Sequence, residues 1–130
     1  GISPPVAAIT DNTAQVSQIV DLADTEGAMF IIATGGLADA DAAFTVLAES
    51  GNVSDLSDAT ATPDDQLNGT EALAGFDFSA DNKVFKLGFR PGYKRYARVT
   101  ITPANNTGNA PFAGVWVTVP KIRPPANPPA

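Results

Sequence analysis

The chain has 130 residues and a formal net charge of −6, and it contains neither histidine nor cysteine. The missing residue types exclude thiolate nucleophiles, disulfides, histidine-based catalytic triads and almost all zinc sites. The length fits one domain with its own core, and the acidic total argues against general nucleic-acid binding.

The charged residues are segregated along the chain. All 14 acidic residues lie between Asp11 and Asp81, whereas all 8 basic residues lie between Lys83 and Arg123. Charge asymmetry of this kind concerns partners and assembly rather than the fold. It predicts either separate acidic and basic surfaces or pairing of the two between neighbouring copies.

The first half of the chain predicts several short strands between turn residues. Period-two alternation and apolar runs indicate strands over residues 6–10, 14–22, 28–34 and 42–50. The alternation slips at Ile19–Val20, which indicates a bulge or twist. We expect a turn from Asp24 to Gly27, and the run from Ala28 to Thr34 is expected to be the most buried strand.

The second half begins with a polar stretch, residues 53–70, that predicts a long surface excursion anchored only by Val53, Leu56 and Leu67. Further strands are predicted over residues 72–78, 83–89, 93–102 and 113–119. In the last of these strands, three valines alternate with Gly114, Trp116 and Thr118. This pattern predicts that Trp116 points to the face opposite the valines.

Short strands with Gly, Pro and Asn turns, and no convincing helix, predict an all-β, single-domain antiparallel β-sandwich or barrel. Extended proline-rich terminal arms flank it in this interpretation. Residues 1–5 form the N-terminal arm, residues 6–119 the β-sandwich domain, and residues 120–130 the C-terminal arm.

Basic and aromatic residues near the end of the chain form the candidate interface. Basic side chains between tyrosines bind phosphates or stack on bases in some proteins, but the small size of this cluster favours a subunit interface. A lone tryptophan is usually core or an interface anchor, with a carbohydrate platform as the alternative. The predicted interface comprises Tyr93, Lys94, Arg95, Tyr96, Arg98, Trp116, Lys121 and Arg123. Arg98 is expected to pair with an acid from the first half.

Two carboxylate pairs, Asp39 with Asp41 and Asp64 with Asp65, are the remaining candidates for chemistry. Such pairs bind Ca²⁺ or act in glycoside hydrolysis in other proteins. Neither pair has a calcium-loop pattern around it, so both are interpreted as solvated loops. We therefore expect no catalytic residues, no metal and no cofactor.

Part of the chain resembles a known group of proteins, and this resemblance implies a function. The segment from Gly88 to Gly108, with Lys94-Arg95-Tyr96 leading into an alternating strand, resembles small proteins encoded beside the major capsid protein of tailed bacteriophages. The stretches Ile9–Ala14 and Leu67–Ala72 are similar to that group too. No functional residues carry over, because the shared motifs are structural.

The resemblance implies a non-enzymatic capsid decoration (cement) protein on the outer surface of a phage head. Its partner would be the major capsid protein, and it would form a homo-oligomer, with a trimer expected. It would be assembled in the host cytoplasm onto the virion, with no specific nucleic acid and no membrane as partner. A head–tail connector or tail component is one alternative, and a carbohydrate-binding β-sandwich module using Trp116, Tyr93 and Tyr96 is the other.

Overall fold

The computed structural model describes residues 9–121, which form two antiparallel sheets packed face to face. The predicted all-β sandwich is therefore confirmed. The N-terminal arm and residues 122–130 of the C-terminal arm lie outside the described residues. Pro120 and Lys121 do not belong to an arm, because Pro120 ends the last strand and the Lys121 N–H donates to the Asp24 carbonyl at 3.0 Å.

Ten strands make the two sheets. They are β1 (Gln15–Val16), β2 (Val20–Asp21), β3 (Thr25–Thr34), β4 (Ala43–Gly51), β5 (Thr60–Ala61), β6 (Leu67–Asn68), β7 (Phe76–Asp77), β8 (Val84–Phe89), β9 (Tyr96–Ala104) and β10 (Phe112–Pro120). One sheet has four strands in the order β10–β3–β8–β6. The other has six strands, in which β9 and β4 form the centre, β1 and β2 flank β9, and β5 and β7 flank β4.

The core lies between the two sheets. Alternate residues of each long strand point inwards, as the pleat requires, so β4 contributes Phe44, Val46 and Ala48, and β9 contributes Ala97, Val99 and Ile101. Both faces follow the period-two alternation of the two strands. The four-stranded sheet supplies aromatic rings, and the Phe30 and Phe89 rings lie 4.9 and 5.4 Å from that of Trp116.

The predicted strand over residues 14–22 is broken into β1 and β2. The break has a structural cause, because the backbone and side chains between the two strands bind other elements. The Ser17 hydroxyl accepts the Val99 N–H at 2.9 Å, and the Gln18 carbonyl accepts the indole N–H of Trp116 at 3.0 Å. The slip in alternation at Ile19–Val20 therefore marked a real interruption.

Three other sequence predictions are corrected by the structure. The turn expected from Asp24 to Gly27 is confined to Asp24, which has φ 56°, because β3 already begins at Thr25. Residues 53–70 are more ordered than a surface excursion, since they contain β5, a 3₁₀ turn over Asp64–Gln66 and β6. Leu56 and Leu67 are buried there as expected, whereas Val53 is exposed.

The strand expected over residues 72–78 is wrong in its first half. Residues Glu71–Ala74 form a single helical turn, α1, and only Phe76–Asp77 are in a strand. Thr70 caps the helix, because its hydroxyl accepts the Leu73 N–H at 3.2 Å. A threonine followed by Glu-Ala-Leu-Ala is a helix-start signal that outweighed the weak alternation of the two phenylalanines.

Candidate functional site

The predicted interface residues do not form one site. Four of them, Tyr93, Lys94, Arg95 and Lys121, line a shallow depression of about 320 Å³. Arg123 lies outside the described residues. The depression is formed where the loop before β9 meets the turn before β3 and the end of β10.

Backbone contacts hold this depression together. The Leu22 N–H donates to the Arg95 carbonyl at 2.6 Å, and the Arg95 N–H donates to Asn52 Oδ1 at 3.2 Å. Gly92, at φ 88°, allows the chain to turn into the loop. The depression is lined by Lys94 and Lys121 and also by Asp24, so its charges are mixed.

Arg95 is already engaged within the chain. Its guanidinium forms two hydrogen bonds with the Asp21 carboxylate, at 3.1 and 3.0 Å, and lies 5.1 Å from the centre of the Tyr96 ring. The hydrogen bonds from Arg95 hold the pKa of Asp21 below its ordinary value. One face of Tyr96 is therefore covered, which leaves it poorly suited to stack on a sugar or a base.

Arg98 lies on the outer face of the six-stranded sheet. It is directly opposite Glu49 in the β4–β9 register, and its Nε lies 3.2 Å from Glu49 Oε1. The predicted pairing of Arg98 with an acid from the first half is confirmed. Two of the basic residues thus meet acidic residues inside one chain, whereas the charge segregation predicted either separate acidic and basic surfaces or pairing between neighbouring copies.

Trp116 is in the core, so the orientation predicted for β10 is wrong. Its side chain is 6% exposed, whereas Val117 and Val119 are 44% and 52% exposed. The indole packs against Phe30 and Phe89 and donates its N–H to the Gln18 carbonyl. Trp116 is therefore neither an interface anchor on the surface of this chain nor a platform for a carbohydrate.

The valines of β10 belong to an exposed surface that the sequence analysis missed. The outward-facing side chains of β10, β3 and β8 form what we call the apolar outer face, which consists of Met29, Ile31, Ala33, Val84, Ala113, Val115, Val117 and Val119. Val117 is opposite Met29, and Val115 is opposite Ile31. On the β8 side, Lys86 is opposite Ile31 and supplies a positive charge to this surface.

The outer face of the six-stranded sheet is different in character. Its central cross-strand pairs are Thr45 with Thr102, Leu47 with Thr100, and Glu49 with Arg98. A polar face of this kind is typically exposed to solvent, whereas contiguous apolar patches on a monomer usually mark binding surfaces. The contrast identifies the apolar outer face, rather than the basic cluster, as the stronger candidate for a docking surface.

A sequence signal for this face was available. In β10 both alternating sets are apolar, since Phe112 and Trp116 occupy one and three valines occupy the other. A strand that is apolar on both faces is typical of a sheet covered on both sides. Within residues 9–121, only one of the two covering layers is present.

The first carboxylate pair, Asp39 with Asp41, has structural partners. The Asp39 carboxylate accepts the Thr107 N–H at 2.6 Å, the Thr107 hydroxyl at 2.7 Å and the Asp41 N–H at 3.2 Å, so it ties two loops together. A hydrogen bond from the Asp41 side chain, followed by those from Thr107, holds the pKa of Asp39 well below its ordinary value. The same contact with Asp39, together with the Asp39 charge, raises the pKa of Asp41.

The second pair, Asp64 and Asp65, begins the 3₁₀ turn. Within residues 9–121, no three or more acidic side chains come together as they would to hold a metal ion. No helix in that range is long and apolar enough to cross a membrane.

No family model matches the chain, and no curated protein matches it significantly.

Proposed function

We propose that the chain is a non-enzymatic structural protein that decorates the head of a tailed bacteriophage and stabilises its shell. The observation that carries the proposal is the apolar outer face of the four-stranded sheet. The partner is the major capsid protein, and the location is the outer surface of the capsid, where the protein is added during assembly in the host cytoplasm.

The physical reason for docking through this face is the hydrophobic effect. Moving a valine or methionine side chain from water into an interface contributes about 1.5–3 kcal/mol when burial is complete. Four side chains of the face are each at least about one-third exposed: Met29, Val84, Val117 and Val119. Lys86 adds a positive charge that favours an acidic rim on the partner.

The proposed location in a virion is supported by a sequence resemblance. The segment from Gly88 to Gly108 resembles small proteins encoded beside the major capsid protein. A shell offers many identical sites, so modest affinity at each one is sufficient to cover the lattice. A head–tail connector shares the same resemblance but occupies a single ring. Copy number therefore separates the two: quantitative mass spectrometry of purified particles should find copies on the scale of the capsid lattice.

The docking surface is tested by placing a charge on it. Val117→Lys should sharply reduce occupancy on heads that lack the protein, because an ammonium group would be buried against the capsid. The matched control is Thr45→Lys, which adds the same charge to the outer face of the other sheet. Electron microscopy of reconstituted particles measures the occupancy of both variants.

Equal occupancy for the two lysine variants would overturn the assignment of the apolar outer face. Loss of occupancy in the Thr45→Lys variant alone would instead assign docking to the six-stranded sheet, which contains Tyr96 and Arg98.

A further inference from the structure

Strand β10 is the edge of the four-stranded sheet. It pairs with β3 on one side, from Phe112 opposite Thr34 to Pro120 opposite Thr25. On its other side, the only described partner is Ile9, which exchanges hydrogen bonds of 3.3 and 2.8 Å with Ala110, just before the strand begins. Within residues 9–121, the remainder of this edge is unpaired.

The hydrogen bonds define which backbone groups of β10 point to the free side. The Thr34 N–H donates to the Lys83 carbonyl on the β8 side, so Phe112, opposite Thr34, directs its own groups away from β3. The Gly35 N–H donates to the Pro111 carbonyl, which places Pro111 on the β3 side. By alternation, Gly114, Trp116 and Thr118 point their N–H and C=O groups outwards.

This edge lacks the features that normally prevent strands from pairing between molecules. Natural edges are protected by charges, prolines and bulges. From Phe112 to Val119 there is no charged residue and no proline, and the protection comes only afterwards, with a register shift between Thr118 and Pro120.

We propose that β10 pairs with β10 of a second copy of this chain, antiparallel and about a two-fold axis at Trp116. Under this symmetry Trp116 faces its own counterpart, and Gly114 faces Thr118 of the second copy. The two four-stranded sheets then become one continuous sheet. This proposal rests on the edge geometry alone and does not depend on the capsid.

The second copy is the favoured occupant because the edge is complementary to itself. A two-fold axis matches the outward N–H and C=O groups of the two copies reciprocally, so that Gly114 bonds to Thr118 and Thr118 to Gly114, which makes the contact isologous. The strand is neutral, so self-pairing brings no like charges together. On the outer side, Val115 of one copy lies against Val117 of the other, which joins the two apolar outer faces into one larger surface.

The oligomeric state tests the proposal. Analytical ultracentrifugation of the unaltered chain should show a dimer. Thr118→Pro should weaken the dimer at least about tenfold, since it removes an outward N–H that β3 does not use. Thr118→Ala keeps this N–H and should remain dimeric, and circular dichroism should show that both variants retain the fold. An unaltered chain that is monomeric or trimeric, or a Thr118→Pro variant that dimerises normally, would overturn the proposal.

The register is tested by cross-linking, for which a chain without native cysteine is well suited. A chain carrying Val115→Cys is mixed with a chain carrying Val117→Cys and oxidised with oxidised glutathione. These positions form a non-hydrogen-bonded pair in the proposed register, where side chains are closest. The mixture should form a disulfide-linked dimer much faster than either variant alone or than Val115→Cys mixed with Thr45→Cys. Equal rates in all samples would contradict the register.

Discussion

Trp116 decides how β10 is oriented. The indole is held between Phe30 and Phe89, and Gly114, two residues before it on the same face, leaves room for the Phe30 ring. An ideal Cβ at Gly114 would lie only 2.1 Å from Phe30 Cζ, so that position accepts no side chain without rearrangement. The ring of Phe30 and the absence of a side chain at Gly114 are thus complementary.

Substitution of Trp116 should therefore affect stability before it affects any partner. Trp116→Ala should lower the free energy of unfolding by about 3–5 kcal/mol, because it leaves a cavity among aromatic rings. Trp116→Phe should cost less, since it retains a ring and loses mainly the hydrogen bond to the Gln18 carbonyl. Urea unfolding measures both. A stable Trp116→Ala variant that fails only in binding would show that the indole is an interface residue after all.

Asp39 and Asp41 should respond to pH with opposite signs. The folded-state pKa of Asp39 is lowered, so its stabilising effect is present above the ordinary value of 3.8 and is lost as the pH falls through the folded value. The pKa of Asp41 is raised, so its ionised form is disfavoured in the folded state above 3.8. Asp39→Asn should thus lower the melting temperature at pH 7 and flatten its fall below about pH 4.

Asp41→Asn is the matched control for this pair. It removes a charge that the folded state disfavours, so the melting temperature at pH 7 should not fall. Thermal unfolding measured from acidic to neutral pH distinguishes the two variants. Equal loss of stability in both at pH 7 would contradict the roles assigned to the two carboxylates.

At the scale of elements, the predicted pairing of Arg98 with an acidic residue occurs between β4 and β9. Its contribution to the stability of the sheet is limited. The long register of these strands places Glu49 opposite Arg98, with side chains that are 19% and 28% exposed. This ion pair links the acidic and basic parts of the sequence across adjacent strands. Partial exposure and solvent screening keep such a pair from dominating the stability of the sheet.

A double-mutant cycle should measure the coupling between these strands. With Glu49→Ala, Arg98→Ala and the double variant, the coupling free energy should be below about 1 kcal/mol and should shrink at high salt. Asp21 and Arg95 form a more exposed pair and should show a smaller coupling still. Coupling well above this range would mean that the pair is part of a larger electrostatic network.

The four-stranded sheet is apolar on both of its faces, which distinguishes it from the six-stranded sheet. β3 and β10 bury one apolar set in the core and present a second to the surface. The proposed capsid contact uses that second set, whereas the proposed contact between copies uses the backbone edge of β10. The two surfaces adjoin at Val117, which lies against Val115 of the second copy in the proposed register, so Val117→Lys affects both associations, whereas Thr118→Pro tests the contact between copies.

At the scale of the whole molecule, local patterns in the sequence were enough to predict the all-β class and most of the long strands. In β4 and β9 the alternation matches the burial of Phe44, Val46, Val99 and Ile101, because each strand has one apolar and one polar face. The same rule failed for β10, where both alternating sets are apolar and the period of two leaves the orientation undetermined.

Only the tertiary structure resolved that ambiguity. Phe30 and Phe89 leave a space that the indole of Trp116 fills, and the Gln18 carbonyl satisfies its N–H, so the valines are turned outwards. The unpaired edge of β10 also depends on the order of strands in the sheet, which is set by contacts between residues far apart in the chain. Sequence thus determined the all-β class and most of the long strands, whereas packing and strand order determined which surfaces remain free to bind.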